Sequence, residues 1–244
     1  MESPLNTILS AENLRIGYRH KGQDVIVADS ININLEAGML CALVGANGIG
    51  KSTLLRTLTA IQHPLNGDVY LNGKAITGYD AAGLAQNLSI VLTGSLPPSN
   101  LTIYELVALG RQPYTNWLGT LSTEDRQKTE EAIELTQIRH IAHKKHFEVS
   151  DGQLQKALIA RALAQDTPLV VLDEPTTHLD LVHKASLLKL LKRLSSETKK
   201  CILYSTHDLD LALQLSDEMI VMAPDETVQG NPASLIESGI FSRL

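Results

Sequence analysis

Residues Gly45 to Ser52 read GANGIGKS, between the apolar run Met39 to Val44 and the stretch Thr53-Leu54-Leu55-Arg56-Thr57-Leu58. A strand that ends in a glycine-rich loop and passes straight into a helix aims several free backbone N–H groups, and the positive end of the helix dipole, at one point in space. That point suits a phosphate. Gly45, Gly48 and Gly50 permit φ > 0 and keep side chains away from a ligand, while Ala46, Asn47, Ile49 and Thr53 complete the cradle. Lys51 is placed to reach the β- and γ-phosphates of a nucleotide, and Ser52 to ligate Mg²⁺.

The rest of the chain supplies the architecture that this loop demands. Leu40 to Val44, Leu169 to Leu172 and Cys201 to Tyr204 are nearly continuous apolar runs, the pattern of parallel strands buried on both faces, and helical stretches separate them. The core is therefore α/β with a mostly parallel sheet. Ile8 to Leu14, Val25 to Ala28 and Ile31 to Leu35, split by Gly17 to Gly22, predict short antiparallel strands, and Asn66 to Lys74 adds another to that layer. Leu88 to Leu92 predicts one more strand, and Pro97-Pro98 then marks a boundary.

From Thr102 to Gln165 the pattern is helical, over Ile103 to Gly110, Thr123 to Gln137 and Leu154 to Ala164. A helix from about Leu181 to Ser196, a last strand pair at Cys201 to Tyr204 and Glu218 to Met222, and one tail helix within Pro232 to Leu244 complete the chain. The expectation is a single domain, with residues 1–93 and 166–244 as the nucleotide-binding core and its antiparallel β layer, and 94–165 as an inserted helical subdomain.

Composition narrows the function classes. No apolar run approaches the roughly 18 residues that cross a bilayer, and Met1-Glu2-Ser3-Pro4 does not open a signal peptide, so a cytosolic chain is expected. A net charge of −6 argues against a broad surface for nucleic acid. Cys41 and Cys201 sit in or beside apolar runs and read as small buried hydrophobes. His140, His143 and His146 have near metal-ligand spacings but no cysteine or carboxylate partner set, and read as solvated positions.

A phosphate cradle alone gives binding, not a mechanism. The run Leu169-Val170-Val171-Leu172-Asp173-Glu174 ends an apolar strand in two carboxylates at the edge where open α/β sheets bind ligands. Asp173 is placed to hold Mg²⁺, usually through water, and Glu174 to accept a proton from, or orient, the attacking water. Between cradle and carboxylates, Ser150 and Gln153 have the spacing of a capping box, which predicts a helix start there and with it another anion-binding N-terminus.

The series GANGIGKS, SDGQLQK, IARALAQ, LDEP and Ser205-Thr206-His207-Asp208 resembles the ATP-binding cassette (ABC) ATPases over essentially the whole chain. The resemblance implies the ABC ATPase fold, Mg²⁺-dependent ATP hydrolysis, and a head-to-tail dimer with a second copy of the chain. Each ATP would then lie between Lys51 of one molecule and Ser150, Gly152 and Gln153 of the other. It also implies that His207 senses the γ-phosphate, that Asp180 in Thr177-His178-Leu179-Asp180 communicates across the dimer, and that Tyr18 stacks on adenine; a surface turn tyrosine is the alternative for Tyr18.

Two positions depart from the family pattern. Asp151 stands where a glycine is usual; an acid in the first turn steadies a helix by about 0.3 to 1 kcal/mol, and Asp151 is expected to point away from the nucleotide. Thr93 stands where a glutamine ligates Mg²⁺, and a bridging water is the expected substitute for direct coordination.

Within the family, Thr102-Ile103-Tyr104-Glu105-Leu106-Val107 and Gly110-Arg111-Gln112-Pro113-Tyr114 resemble the importers of iron-siderophores, haem and cobalamin. That implies transmembrane permease subunits docking near Gly94 to Trp117, a substrate-binding protein acting indirectly, and a place on the inner face of the cell membrane. Tyr104, Tyr114 and Trp117 fit either that interface or the core of the helical subdomain. An exporter motor and a soluble non-transport ATPase are the alternatives, although neither the long coiled coil of the DNA-repair members nor the second cassette of the translation factors is present.

Overall fold

The computed structural model describes residues 6–20, 22–92, 99–177 and 179–244. Near its start, β1 (Thr7–His20) and β2 (Gln23–Glu36) pair antiparallel along their length, from Thr7 opposite Glu36 to His20 opposite Gln23. They replace the three short strands expected. β1 runs through Gly17 rather than turning there, because a Cβ at that residue would lie 2.1 Å from the Val25 carbonyl oxygen and 2.8 Å from Leu65 Cδ1. The glycine marks a close approach between strands, not a turn. The register shifts around Leu14 and Ile16, where positive φ at Asn13 and Ser30 absorbs the irregularity. β4 (Asn66–Leu71) pairs with β1, and β5 (Lys74–Ala75) follows through an Asn72-Gly73 turn, giving a four-stranded sheet in the order β2-β1-β4-β5.

The second sheet carries the apolar runs. β3 (Leu40–Gly45), β6 (Leu88–Val91), β7 (Leu169–Leu172), β8 (Cys201–Thr206), β9 (Glu218–Met222) and β10 (Thr227–Gly230) lie in the order β10-β9-β3-β8-β7-β6. All run parallel except β10, which turns back antiparallel on β9. The expected last strand pair is corrected: β3 sits between β8 and β9, and β10 was not foreseen from its polar sequence Thr227-Val228-Gln229-Gly230.

Alternate residues on these strands serve two cores. Leu40, Ala42, Val44, Val170, Leu172, Ile202 and Tyr204 join one cluster with the helices, while Cys41, Leu43, Leu169, Val171, Cys201 and Leu203 join a second with the four-stranded sheet. Both faces are covered, which explains why the strands are apolar throughout.

Eight α-helices complete the described residues: α1 (Lys51–Leu58), α2 (Ala81–Ala85), α3 (Ile103–Ala108), α4 (Thr123–Leu135), α5 (Asp151–Ala164), α6 (Leu181–Thr198), α7 (Leu209–Leu215) and α8 (Pro232–Ser238). α3, α4 and α5 pack on one another, and their Ile103, Leu106, Ile133 and Ala157 belong to the same cluster as β3 and β7. Arg111, in the 3₁₀ turn Leu109–Tyr114 that follows α3, ties that turn to α4 and α5. It is 3% exposed, pairs with Asp125 at 2.9 Å, donates to the Ala164 carbonyl at 2.7 Å and lies over the Tyr114 ring.

The three aromatic residues differ in burial. Tyr104 packs on the core, Tyr114 is half-exposed, and Trp117 is 91% exposed. The tail is two pieces rather than one helix, because Gly239 adopts φ 71 and ends α8 before the 3₁₀ turn Ile240–Arg243.

Candidate functional site

The parallel strands deliver their C-terminal ends side by side: Gly45 closing β3, Ser205 and Thr206 closing β8 with His207 just beyond, and Asp173 and Glu174 after β7. The loop after β3 closes with an Ile49 N–H donating to the Ala46 carbonyl at 3.3 Å. Gly50 is the N-cap of α1 with φ 118, and a Cβ there would come within 2.3 Å of Val27 Cγ1, so the loop is seated on β2. The first intrahelical bond runs from the Leu54 N–H to the Gly50 carbonyl, leaving the amides of Lys51, Ser52 and Thr53 without a helical acceptor. The other seven α-helices each have a side-chain N-cap: Asp80, Thr102, Ser122, Ser150, Asp180, Asp208 and Asn231. α1 has none. It keeps its N-terminal donors available, which is what a phosphate requires.

Lys51 is buried and folds back over this loop, its Nζ donating to the Gly45 carbonyl at 2.8 Å and to the Ala46 carbonyl at 3.1 Å. Burial pushes its ammonium below the usual lysine range against the attraction of Glu174 and Asp173, which raises it. The two carboxylates thus sit in the field of the same cation.

A chain of hydrogen bonds organises the acidic side of the site. Ser205, 0% exposed, donates through Oγ to Asp173 Oδ1 at 2.7 Å and accepts the Glu174 N–H at 2.8 Å. Ser52 Oγ lies 3.4 Å from the same Asp173 oxygen, and the Asp173 N–H donates to the Val91 carbonyl at 2.8 Å. Thr177 Oγ1 donates to Glu174 Oε2 at 3.1 Å, and Glu174 itself takes the left-handed conformation with φ 45. That backbone is uncommon for a side chain of this size and turns the chain sharply as it leaves β7. Ser52 and Asp173 provide adjacent hard oxygen donors, the set that suits Mg²⁺ with waters in its remaining positions.

Ser205 is the residue that sequence reasoning did not single out. Its signal was a small hydroxyl at the last turn-facing end of an apolar strand, where a buried polar side chain needs partners.

Tyr18, half-exposed on β1, reaches Thr53 Oγ1 of α1 through its hydroxyl at 2.6 Å, so its ring is tied to the helix that opens with Lys51. His207 is exposed just beyond β8, and among the described residues its side chain makes no hydrogen bond.

Ser150, Gly152 and Gln153 lie at the start of α5, where Ser150 and Gln153 form a reciprocal capping box. With Lys156, Leu179 and His183 they line a pocket of about 190 Å³. Asp151 is exposed and is not part of that lining. Asp180 caps α6, accepting the His183 N–H at 2.9 Å and lying 2.8 Å from His183 Nδ1; the His183 backbone and ring hold its carboxyl below the usual range. Among the described residues, no hydrogen bond joins Ser150, Gly152 or Gln153 to Lys51, Ser52 or Asp173 of the same chain.

Thr93, the expected metal ligand, and residues 94–98 of the expected docking segment lie outside the described residues, as does His178. His146 corrects its reading as solvated: it is 8% exposed and accepts the Ser99 N–H at Nε2, at 3.3 Å. Cys41 and Cys201 are free thiols and buried. No described helix is long and apolar enough to cross a membrane.

A protein-family model described as ABC transporter matches residues 28–177. The iron(3+)-hydroxamate import ATP-binding protein of Bacillus subtilis (strain 168) is 42% identical over 225 residues, covering 92% of this chain and 82% of that protein. The ferric enterobactin transport ATP-binding protein of Escherichia coli (strain K12) is 34% identical over 237 residues, covering 97% of this chain and 86% of that protein. Among solved structures, a metal-chelate type ABC transporter in an inward-facing conformation matches with a TM-score of 0.84 at 27% identity, over 98% of this chain and 89% of that chain. A dimeric bacterial ABC transporter cassette matches with a TM-score of 0.76 at 26% identity, over 92% of this chain and 99% of that chain.

Proposed function

The chain belongs to the ABC transporter family as an ATP-binding, ATP-hydrolysing cassette, and from that premise we propose that it is the motor subunit of an importer for an iron-siderophore, haem or cobalamin type of substrate. The observation that carries import is the similarity, over more than nine-tenths of the chain, to two ATP-binding proteins named for iron(3+)-hydroxamate import and ferric enterobactin transport. The site geometry supports the chemistry. Amides at the uncapped start of α1 and the Lys51 ammonium take the β- and γ-phosphates of ATP. Ser52 and Asp173 would hold Mg²⁺, which when bound neutralises charge on the phosphoryl oxygens. Ser205 holds Asp173 and the Glu174 backbone in one arrangement, and Glu174 takes the proton of the attacking water. Tyr18 offers its face to the adenine.

The second half of each site comes from a second copy of the chain. Ser150, Gly152 and Gln153 meet the γ-phosphate held by Lys51 of the other molecule, His207 senses that phosphate, and Asp180 relays across the interface. Closure with ATP and release on hydrolysis then drive separate membrane permease subunits, which dock along residues 94–117 and place this chain on the inner face of the membrane. The exposed Trp117 supports a contact at the end of that segment.

The test is affinity purification of the tagged chain from membranes of its own source. Recovery with a multi-spanning partner whose deletion abolishes uptake of an iron chelate is the expected result. Recovery as a soluble protein, or with a partner that mediates efflux, overturns the reading.

A further inference from the structure

Because the His207 side chain has no hydrogen bond among the described residues, its position depends on the turn that carries it. Asp208 organises that turn. Its N–H donates to Thr206 Oγ1 at 3.0 Å, and its Oδ1 accepts the Leu211 N–H at 3.4 Å as the cap of α7. Its Oδ2 faces Lys184 Nζ at 3.4 Å, in an ion pair whose side chains are only 18% and 19% exposed. Lys184 comes from a different element, the first turn of α6, where its N–H donates to the Asp180 carbonyl at 2.9 Å. One lysine thus connects the residue that caps α6 with the turn on which His207 stands. At such burial the pair is weakly screened, and removing one partner leaves a poorly solvated charge that moves to find another.

We propose that Lys184 is a positioning residue for His207, acting through Asp208 and coupling His207 to the start of α6 at Asp180. The inference rests on the assignment of His207 to the γ-phosphate above. A shift of the α6 N-terminus on closure of the dimer is then transmitted to the His207 turn by the ion pair, so that the phosphate sensor is set only when α6 is in place.

The test is steady-state ATP hydrolysis by the full chain. Lys184→Met is expected to lower kcat roughly five-fold with KM for ATP unchanged, a loss of the size that coupled neighbours show. Lys184→Arg is expected to restore most of that rate, and Asp208→Asn, which can keep the cap to Leu211, to reproduce the loss should Lys184→Met fold poorly. In a His207→Ala background Lys184→Met is expected to change the residual rate no further. An unchanged kcat in both Lys184→Met and Asp208→Asn, a raised KM at constant kcat, or an equal loss in the His207→Ala background overturns the proposal. Hydrolysis insensitive to His207→Ala overturns the assignment of His207 and this proposal with it; a sensitive His207 beside an insensitive Lys184 overturns this proposal alone.

Discussion

Two helices of this chain begin with residues assigned to the same phosphate, and they begin differently. α1 starts at Gly50 with no side chain over its first amides, whereas α5 starts inside a closed box in which Ser150 and Gln153 satisfy one another. A helix whose donors are free is built to bind within its own molecule. One whose donors are already engaged is stable alone and exchanges partners only when another surface arrives. In the proposed function α1 captures ATP and α5 closes the dimer; the cap geometry is compatible with that division, which can be broken.

The largest expected effect is that of Glu174→Gln. Loss of the proton acceptor should lower turnover by roughly 10³-fold while ATP still binds, and light scattering should show an accumulating dimer. A variant that stays monomeric with ATP would remove the role given to α5. Next comes Lys51→Ala, which should weaken ATP binding by the single chain about 50-fold, the range for a lost charge-assisted hydrogen bond; calorimetry reads this directly.

Ser150→Ala sharpens the contrast. It should cost about 1 kcal/mol of stability in urea through the lost cap and impair dimer formation in the Glu174→Gln background, yet leave ATP binding by the single chain within about two-fold. A binding defect as deep as that of Lys51→Ala would erase the distinction between the helices.

The smallest effect lies just past the other end of α5. Burial pushes the Asp166 carboxyl up, but Lys200 at 2.7 Å and Lys128 at 2.9 Å outweigh it and hold the group down at about 2. A folded value below the unfolded one stabilises above about pH 4, and the contribution is lost as pH falls from there toward 2. Discounted for partial exposure, Asp166→Asn should cost about 1 kcal/mol at neutral pH, with the gap from wild type closing in acid and ATP binding unaffected.

Sequence reasoning was strongest where one residue type answers one physical need. Gly45 to Ser52, the capping box at Ser150 and the carboxylates after Leu172 are local patterns, and the structure has each as an element boundary. It failed where the cause is tertiary. Gly17 looked like punctuation because nothing local reveals Val25 and Leu65 pressing on it. Ser205 passed as the start of a motif because its partners, Asp173 and Glu174, are about 30 residues away in the chain and adjacent only across β7 and β8. α7 went unnoticed as a seven-residue helix, too short for periodicity to declare. His146 was read as wet because the Ser99 N–H that it accepts comes from 47 residues away in the chain, where no local signal reveals it.

Cys41 and Cys201 lie on the side of the six-stranded sheet that faces the four-stranded one, 1% and 0% exposed. Burial pushes both thiols up, Cys201 to about 12. To an alkylating reagent at neutral pH the folded chain therefore offers neither access nor a thiolate. Labelling must wait until the two layers part, so the rate at which a maleimide dye is captured becomes a clock for that separation, read without touching any residue of the nucleotide site.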